Sequence, residues 1–359
     1  MYTSKIHKRQ KNRIYNILIR LLIIGLTYGF IIRQIFYQKK IDDILAAFSG
    51  LIDRPYLFAF LIWVFFLMLV NWGIESLKWQ FLISKIEKVP LLKSFMAVLS
   101  GVSVSSVTPN RVGEYFGRVF ILERANPWKG IFITIIGSMS QLIMTIIMGL
   151  FGLLALTLLY PDDIMFLIPQ TYYSDNLHFV LCMIMGLIVV VIVPTLILIF
   201  LNVSFLPRLI SRFVRKRLVR IYEYFTVISY YSTFELGIVL LYSFLRYCIF
   251  AIQFYLLLLM FSVDIPFFQG MILITIIYFV LTAIPSVTLA EIGIRGNVSL
   301  GVISLLCFQT IPDDLSLDIK IGILAASSSI WLINLVLPAF IGTFFVFRLK
   351  FFKKRPKNN

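Results

Sequence analysis

The chain has 359 residues, 60% of them hydrophobic and 14% charged, against about 25% charged residues in an ordinary soluble domain. No polar stretch is long enough to form a soluble domain, so residues 1–359 read as a single integral membrane domain. The formal charge of +16 does not indicate a nucleic-acid partner, because the basic residues cluster in short loops between apolar runs, as positive-inside topology requires.

Residues 1–13 form a basic tail with Lys5, Lys8, Arg9, Lys11 and Arg13. An apolar run follows from about Ile14 to Ile35. Arg33, Lys39 and Lys40 come after it and no small-residue cleavage site closes it, which predicts a retained signal-anchor span. The second span is expected from Pro55 to Trp72, followed by a loop carrying Lys78, Lys85, Lys88 and Lys93. The next apolar piece, Ser94 to Val107, falls short of the roughly 20 residues that a full crossing needs. It fits one limb of a re-entrant hairpin, with Tyr115 to Leu122 as the return.

Further spans are expected at Gly130 to Leu159, at Leu177 to Leu201 with a kink at Pro194, and at Phe234 to Phe261 with Arg246 near its middle. Residues 207–224 form the most basic segment, with Arg208, Arg212, Arg215, Lys216, Arg217 and Arg220 among apolar side chains. Topology anchoring and an interfacial helix on anionic lipid both fit it. Phe267 to Ala283 and Val298 to Cys307 would be the limbs of a second hairpin, and Ile321 to Phe347 the last span.

Of the 33 Lys and Arg, 25 fall on one side of this layout, five on the other, and Arg111, Arg246 and Arg295 inside the membrane region. That asymmetry predicts cytoplasmic termini in a cell (inner) membrane. The expected fold is an all-α polytopic membrane protein with about six full spans plus two re-entrant hairpins; eight or more spans would fit the charges equally. Cys182, Cys248 and Cys307 lack CxxC spacing, and His7 and His178 stand apart. Neither set points to a disulfide, a metal site or a haem, and no cofactor is implied.

Two charged interruptions remain. The first, Ser105 to Arg118, reads SSVTPNRVGEYFGR, and the second, Ile284 to Asn297, reads IPSVTLAEIGIRGN. Aligning Ser106-Val107-Thr108 on Ser286-Val287-Thr288 puts Gly113 on Gly293 and Arg111 on Glu291. With one hairpin entering from each side, the pattern is that of an inverted-topology repeat with half-units 55–160 and 234–347. Thr108 can cap a helix starting at Pro109, whose free amides favour an anion. Arg111, Glu114 and Arg118 then share a face, and Glu291 and Arg295 stand one turn apart. Thr288 and Glu291 also fit a capping box, and the Arg–Glu pairs could be structural clasps. Against that, three arginines face two glutamates across these motifs, an excess that an anionic head group would balance. Arg246 has no acid within four residues, so its partner is a ligand or a group on another helix such as Glu291 or Glu114.

The run TPNRVGEYFGR resembles the lysylphosphatidylglycerol synthase transmembrane-region family, also called the flippase-like domain family, whose T-P-G-R-x-G-E pattern is met at Thr108, Pro109, Arg111, Gly113 and Glu114. Asn110 replaces a glycine. The family's later P-x-P-G-G-x-G-V-x-E run is matched at Pro285 and Gly293, with Gly296 where a glutamate is common and Glu291 nearby. The resemblance covers nearly the whole chain. It implies the membrane half of enzymes that aminoacylate phosphatidylglycerol and move the product between leaflets, without the soluble transferase domain, since only residues 348–359 follow the last span.

The expectation is a lipid flippase-like transporter, not an enzyme, with a membrane lipid as substrate. Thr108, Pro109, Asn110, Arg111, Glu114, Arg118, Arg246, Glu291 and Arg295 would hold its head group, and Gly113, Pro285 and Gly293 would form the helix breaks. The alternatives are a membrane-embedded transferase acting on a lipid-linked substrate and a non-transporting scaffold for a lipid-modifying enzyme.

Overall fold

The computed structural model describes residues 57–346 except 107, 109–110, 167, 169–175, 212–218, 285–290 and 313. The expected first span, both basic tails, Pro109, Asn110, Pro285, Thr288 and much of the basic segment lie outside the described residues. Among those described, the regular structure is helical throughout, as an all-α polytopic membrane protein requires.

Helix α1 spans Leu57–Ile83, α2 Leu91–Ser105, α3 Gly113–Val119, α4 Pro127–Leu159 and α5 Leu177–Leu201. Then follow α6 Thr233–Met260, α7 Phe267–Ala283, α8 Glu291–Leu306 and α9 Leu317–Val346. Of these, α1, α4, α5, α6 and α9 are long and apolar enough to cross a membrane. Helix starts follow local chemistry. Pro127 opens α4 while the Asn126 side chain accepts from the Trp128 amide. Ser232 and Glu235 close a reciprocal capping box on α6. Pro194 lies inside α5 without ending it.

The largest departure from expectation is α1, which runs through Trp72 to Ile83. Asn71, at the end of the expected span, and Glu75, Ser76 and Lys78, expected in the loop after it, are all buried. Burial is tolerated because Lys78 Nζ lies 2.9 Å from Glu75 Oε2 one turn away, so the helix neutralises its own charges.

Helices α2 and α3 form an antiparallel hairpin. A Cβ on Gly117 would sit 2.7 Å from Gly101 Cα, so the two backbones touch where both residues lack side chains. At its base, the Glu87 carboxylate accepts from the amides of Glu123, Arg124 and Ala125, and Lys93 pairs with Glu123 at 3.3 Å. Gly117→Val should therefore lower the thermal unfolding midpoint by forcing these backbones apart, at a cost of about 1–3 kcal/mol. A midpoint equal to wild type would contradict the close packing.

The second hairpin, α7 and α8, is anchored at the opposite end of α4. Asp163, just beyond α4, accepts from Gln269 at the start of α7 (3.1 Å) and from Gln309 beyond the end of α8 (2.9 Å). The hairpins thus approach from opposite ends of α4 with their tips turned towards each other. Among the described residues, no helix of one packs along a helix of the other.

Candidate functional site

The hairpin tips meet through side chains. Arg111 Nη2 donates to Glu291 Oε1 at 2.7 Å, joining two positions that the motif alignment makes equivalent. Arg295, one turn along α8, donates to the same oxygen from Nη2 at 3.0 Å and Nε at 3.2 Å. Arg111 does not share Glu114 with Arg118, as the helical spacing suggested. Helix α3 starts at Gly113, so Arg111 precedes it, with a φ of 54° that aims the side chain elsewhere. Thr108 still receives an amide, but that of Gly113 (2.8 Å), five residues on. A Cβ on Gly113 would come 2.5 Å from the Val104 carbonyl oxygen, which explains the glycine. Gly293 does not mark a helix break, since it lies within the first turn of α8 in open space.

A second cluster centres on Glu75, which sequence reasoning missed. Its carboxylate, 4% exposed, accepts from Arg118 Nη1 at 2.7 Å and Arg246 Nη1 at 2.8 Å and pairs with Lys78. Arg118 also binds Glu114. Arg246 therefore finds its partner in Glu75 rather than in Glu291 or Glu114. It is fixed further by donation from Nε to Asn71 Oδ1 at 2.8 Å and by the faces of Trp72 and Phe250. Lys78 Nζ reaches the Gly137 carbonyl and Ser243 Oγ. Asn71 in turn donates to Asn334, which sits in a π-helical turn, Leu332–Val336, inside α9. The signal available in the sequence was Glu75 and Lys78 at i and i+3 in an otherwise uncharged run from Leu57 to Ile83.

Between the two clusters lies a cavity of about 470 Å³. The first hairpin contributes Ser105, Arg111, Glu114 and Tyr115, the second Thr282 and Glu291, α1 Glu75 and Lys78, and α6 Arg246. Helix α4 adds a polar strip of Ser138, Gln141 and Thr145. Trp72 Nε1 and Gln141 Oε1, on lining residues, have no hydrogen-bond partner in the protein among the described residues. Leu142, near the middle of α4, and Thr282 line the cavity and are exposed, beside exposed Met139 and Phe116. A charged interior with an apolar rim suits an amphiphile.

Across the two clusters, five cationic groups (Lys78, Arg111, Arg118, Arg246, Arg295) face three carboxylates (Glu75, Glu114, Glu291), a net charge of +2. The excess across the two motifs alone is one charge; Glu75 and Lys78 cancel each other, and Arg246 supplies the second. Among the described residues no three His, Cys, Asp or Glu side chains converge in a way that could hold a metal ion.

Residues 17–306 match the family described as the lysylphosphatidylglycerol synthase TM region. No curated protein and no solved structure matches the chain. With most of its length covered, the chain belongs to the lysylphosphatidylglycerol synthase TM region family, and a membrane lipid-related role fits that membership.

Proposed function

We propose that the protein is a flippase-like transporter that moves an anionic or head-group-modified phospholipid or glycolipid between the leaflets of a cell membrane. The observation that carries this reading is the cavity at the meeting of two opposed hairpins, whose ionic groups hold two positive charges in excess. Two excess positive charges around a cavity favour an anion there, and an anionic head group supplies it while its acyl chains remain at the apolar rim.

In this reading α2–α3 and α7–α8 are re-entrant hairpins from opposite membrane faces, the cores of two inverted half-units 55–160 and 234–347. The reversed directions of α1 and α4 around the first and of α6 and α9 around the second support it. The same reading has both termini in the cytoplasm, on the charge asymmetry of the loops. Lys78 and Arg118, counted above with the loops, are buried, and the loop asymmetry survives their removal. A lipid transferase would need a carboxylate available as a general base. Glu75, Glu114 and Glu291 are each engaged by guanidinium or ammonium groups.

The test is leaflet-selective quenching of labelled phosphatidylglycerol in vesicles reconstituted with the full chain. Faster loss of asymmetry than in protein-free vesicles is expected, with a smaller effect on phosphatidylcholine. No acceleration for any lipid of a broad anionic panel would sink the proposal. Turnover of a radiolabelled lipid donor that disappears in Glu114→Gln would instead mark a transferase, and co-purification of a lipid-modifying enzyme without flipping would mark a scaffold.

A further inference from the structure

The ionic groups around the cavity are not equally free to exchange partners. Arg118 is 4% exposed and held by two carboxylates, while Lys78 is 1% exposed and held by Glu75, Ser243 and the Gly137 carbonyl. Arg246 is clamped between Glu75 and Asn71. Arg111 differs. It comes from the opposite hairpin to its carboxylate, and its side chain is 42% exposed. Its φ of 54° is one that residues with a Cβ seldom adopt.

Breaking a buried ion pair is costly chiefly because it strands a charge. At the hairpin tips neither side is stranded. Glu291 keeps Arg295, which belongs to its own helix and moves with it. Arg111 is left facing the cavity, where an anion can replace the carboxylate. We infer that Arg111 is the group that exchanges Glu291 for an anionic head group, and that Arg295 is a positioning residue that keeps Glu291 neutralised while the hairpins part. The inference rests on the cavity being an anionic-lipid site. It adds which arginine meets the lipid, and why a second arginine crowds the same carboxylate oxygen.

Two measurements test it. In the first, short-chain phosphatidylglycerol is titrated into the detergent-solubilised full chain, with phosphatidylcholine as reference. Arg295→Gln should weaken phosphatidylglycerol binding at least about tenfold, because opening then strands Glu291. Adding Glu291→Gln should restore binding to within about threefold of wild type, because the neutral amide needs no counter-charge. A double variant as weak as Arg295→Gln would show that Arg295 binds lipid directly or only supports the fold, and would overturn the inference while leaving the anionic-lipid reading intact. Wild-type protein that prefers no lipid of the anionic panel over phosphatidylcholine would overturn both. In the second, spin labels are placed at Val112→Cys and Thr282→Cys, exposed positions on the two tips, in a chain with its native cysteines replaced. Phosphatidylglycerol should lengthen the distance between them, and Arg111→Ala should lengthen it without lipid. An unchanged distance in both cases would overturn the inference independently of any folding defect in the first set.

Discussion

Glu75→Ala is expected to yield no stably folded protein. The substitution removes the one carboxylate shared by Lys78, Arg118 and Arg246, and leaves the buried Lys78 and the half-buried Arg246 without a carboxylate partner among the described residues. Breaking a buried ion pair costs about 3–5 kcal/mol, and the loss of two such partners approaches the whole stability of a typical domain, about 5–15 kcal/mol. Glu75→Gln keeps an acceptor for one donor and should fall between the two. Size-exclusion profiles and thermal unfolding of the purified proteins measure the effect. A monodisperse Glu75→Ala protein with a wild-type midpoint would mean that the ion cluster is not what holds α1, α3 and α6 together.

The second large effect is functional. Arg111→Glu should reduce anionic-lipid binding by on the order of a hundredfold, about 3 kcal/mol, because it removes the exchanging cation and sets a third carboxylate between Glu114 and Glu291. Stability should change far less than with Glu75→Ala, since Arg111 is the most exposed member of the ionic set. Phosphatidylglycerol titration with a parallel thermal scan separates the two outcomes. Equal losses of binding and stability would assign Arg111 to the scaffold.

Much of the fold was legible because membrane spans are written in uninterrupted apolar runs. Helix α5 occupies the expected Leu177 to Leu201, α7 the expected Phe267 to Ala283, and α6 differs by a residue at each end. The short run before Thr108 announced a short apolar helix, and α2 has 15 residues. What escaped was the interior of α1. Glu75 and Lys78 resemble loop residues in sequence, and only their contacts with Arg118, Arg246 and Ser243, between 43 and 171 residues away in the chain, show why a helix can carry them. Pairings failed for a similar reason. Helical periodicity predicts partners within one helix, and it found Glu114–Arg118 and Glu291–Arg295. It cannot predict Arg111–Glu291 or Arg246–Glu75, which depend on how helices are brought together.

The self-paired Glu75 and Lys78 bear on the order in which the protein is built. During synthesis α1 emerges before Arg118 and long before Arg246, so Glu75 is made before either of the arginines that it holds in the folded protein. Lys78, one turn away, acts as its escort. An apolar segment whose two charges cancel enters the lipid at lower cost than one carrying an isolated carboxylate. The incoming arginines then join a carboxylate that is already inside, and Lys78 passes from sole counter-ion to one of three. Assembly of the ion cluster is in this sense a relay, with each new helix taking up part of a charge that the first one carried in.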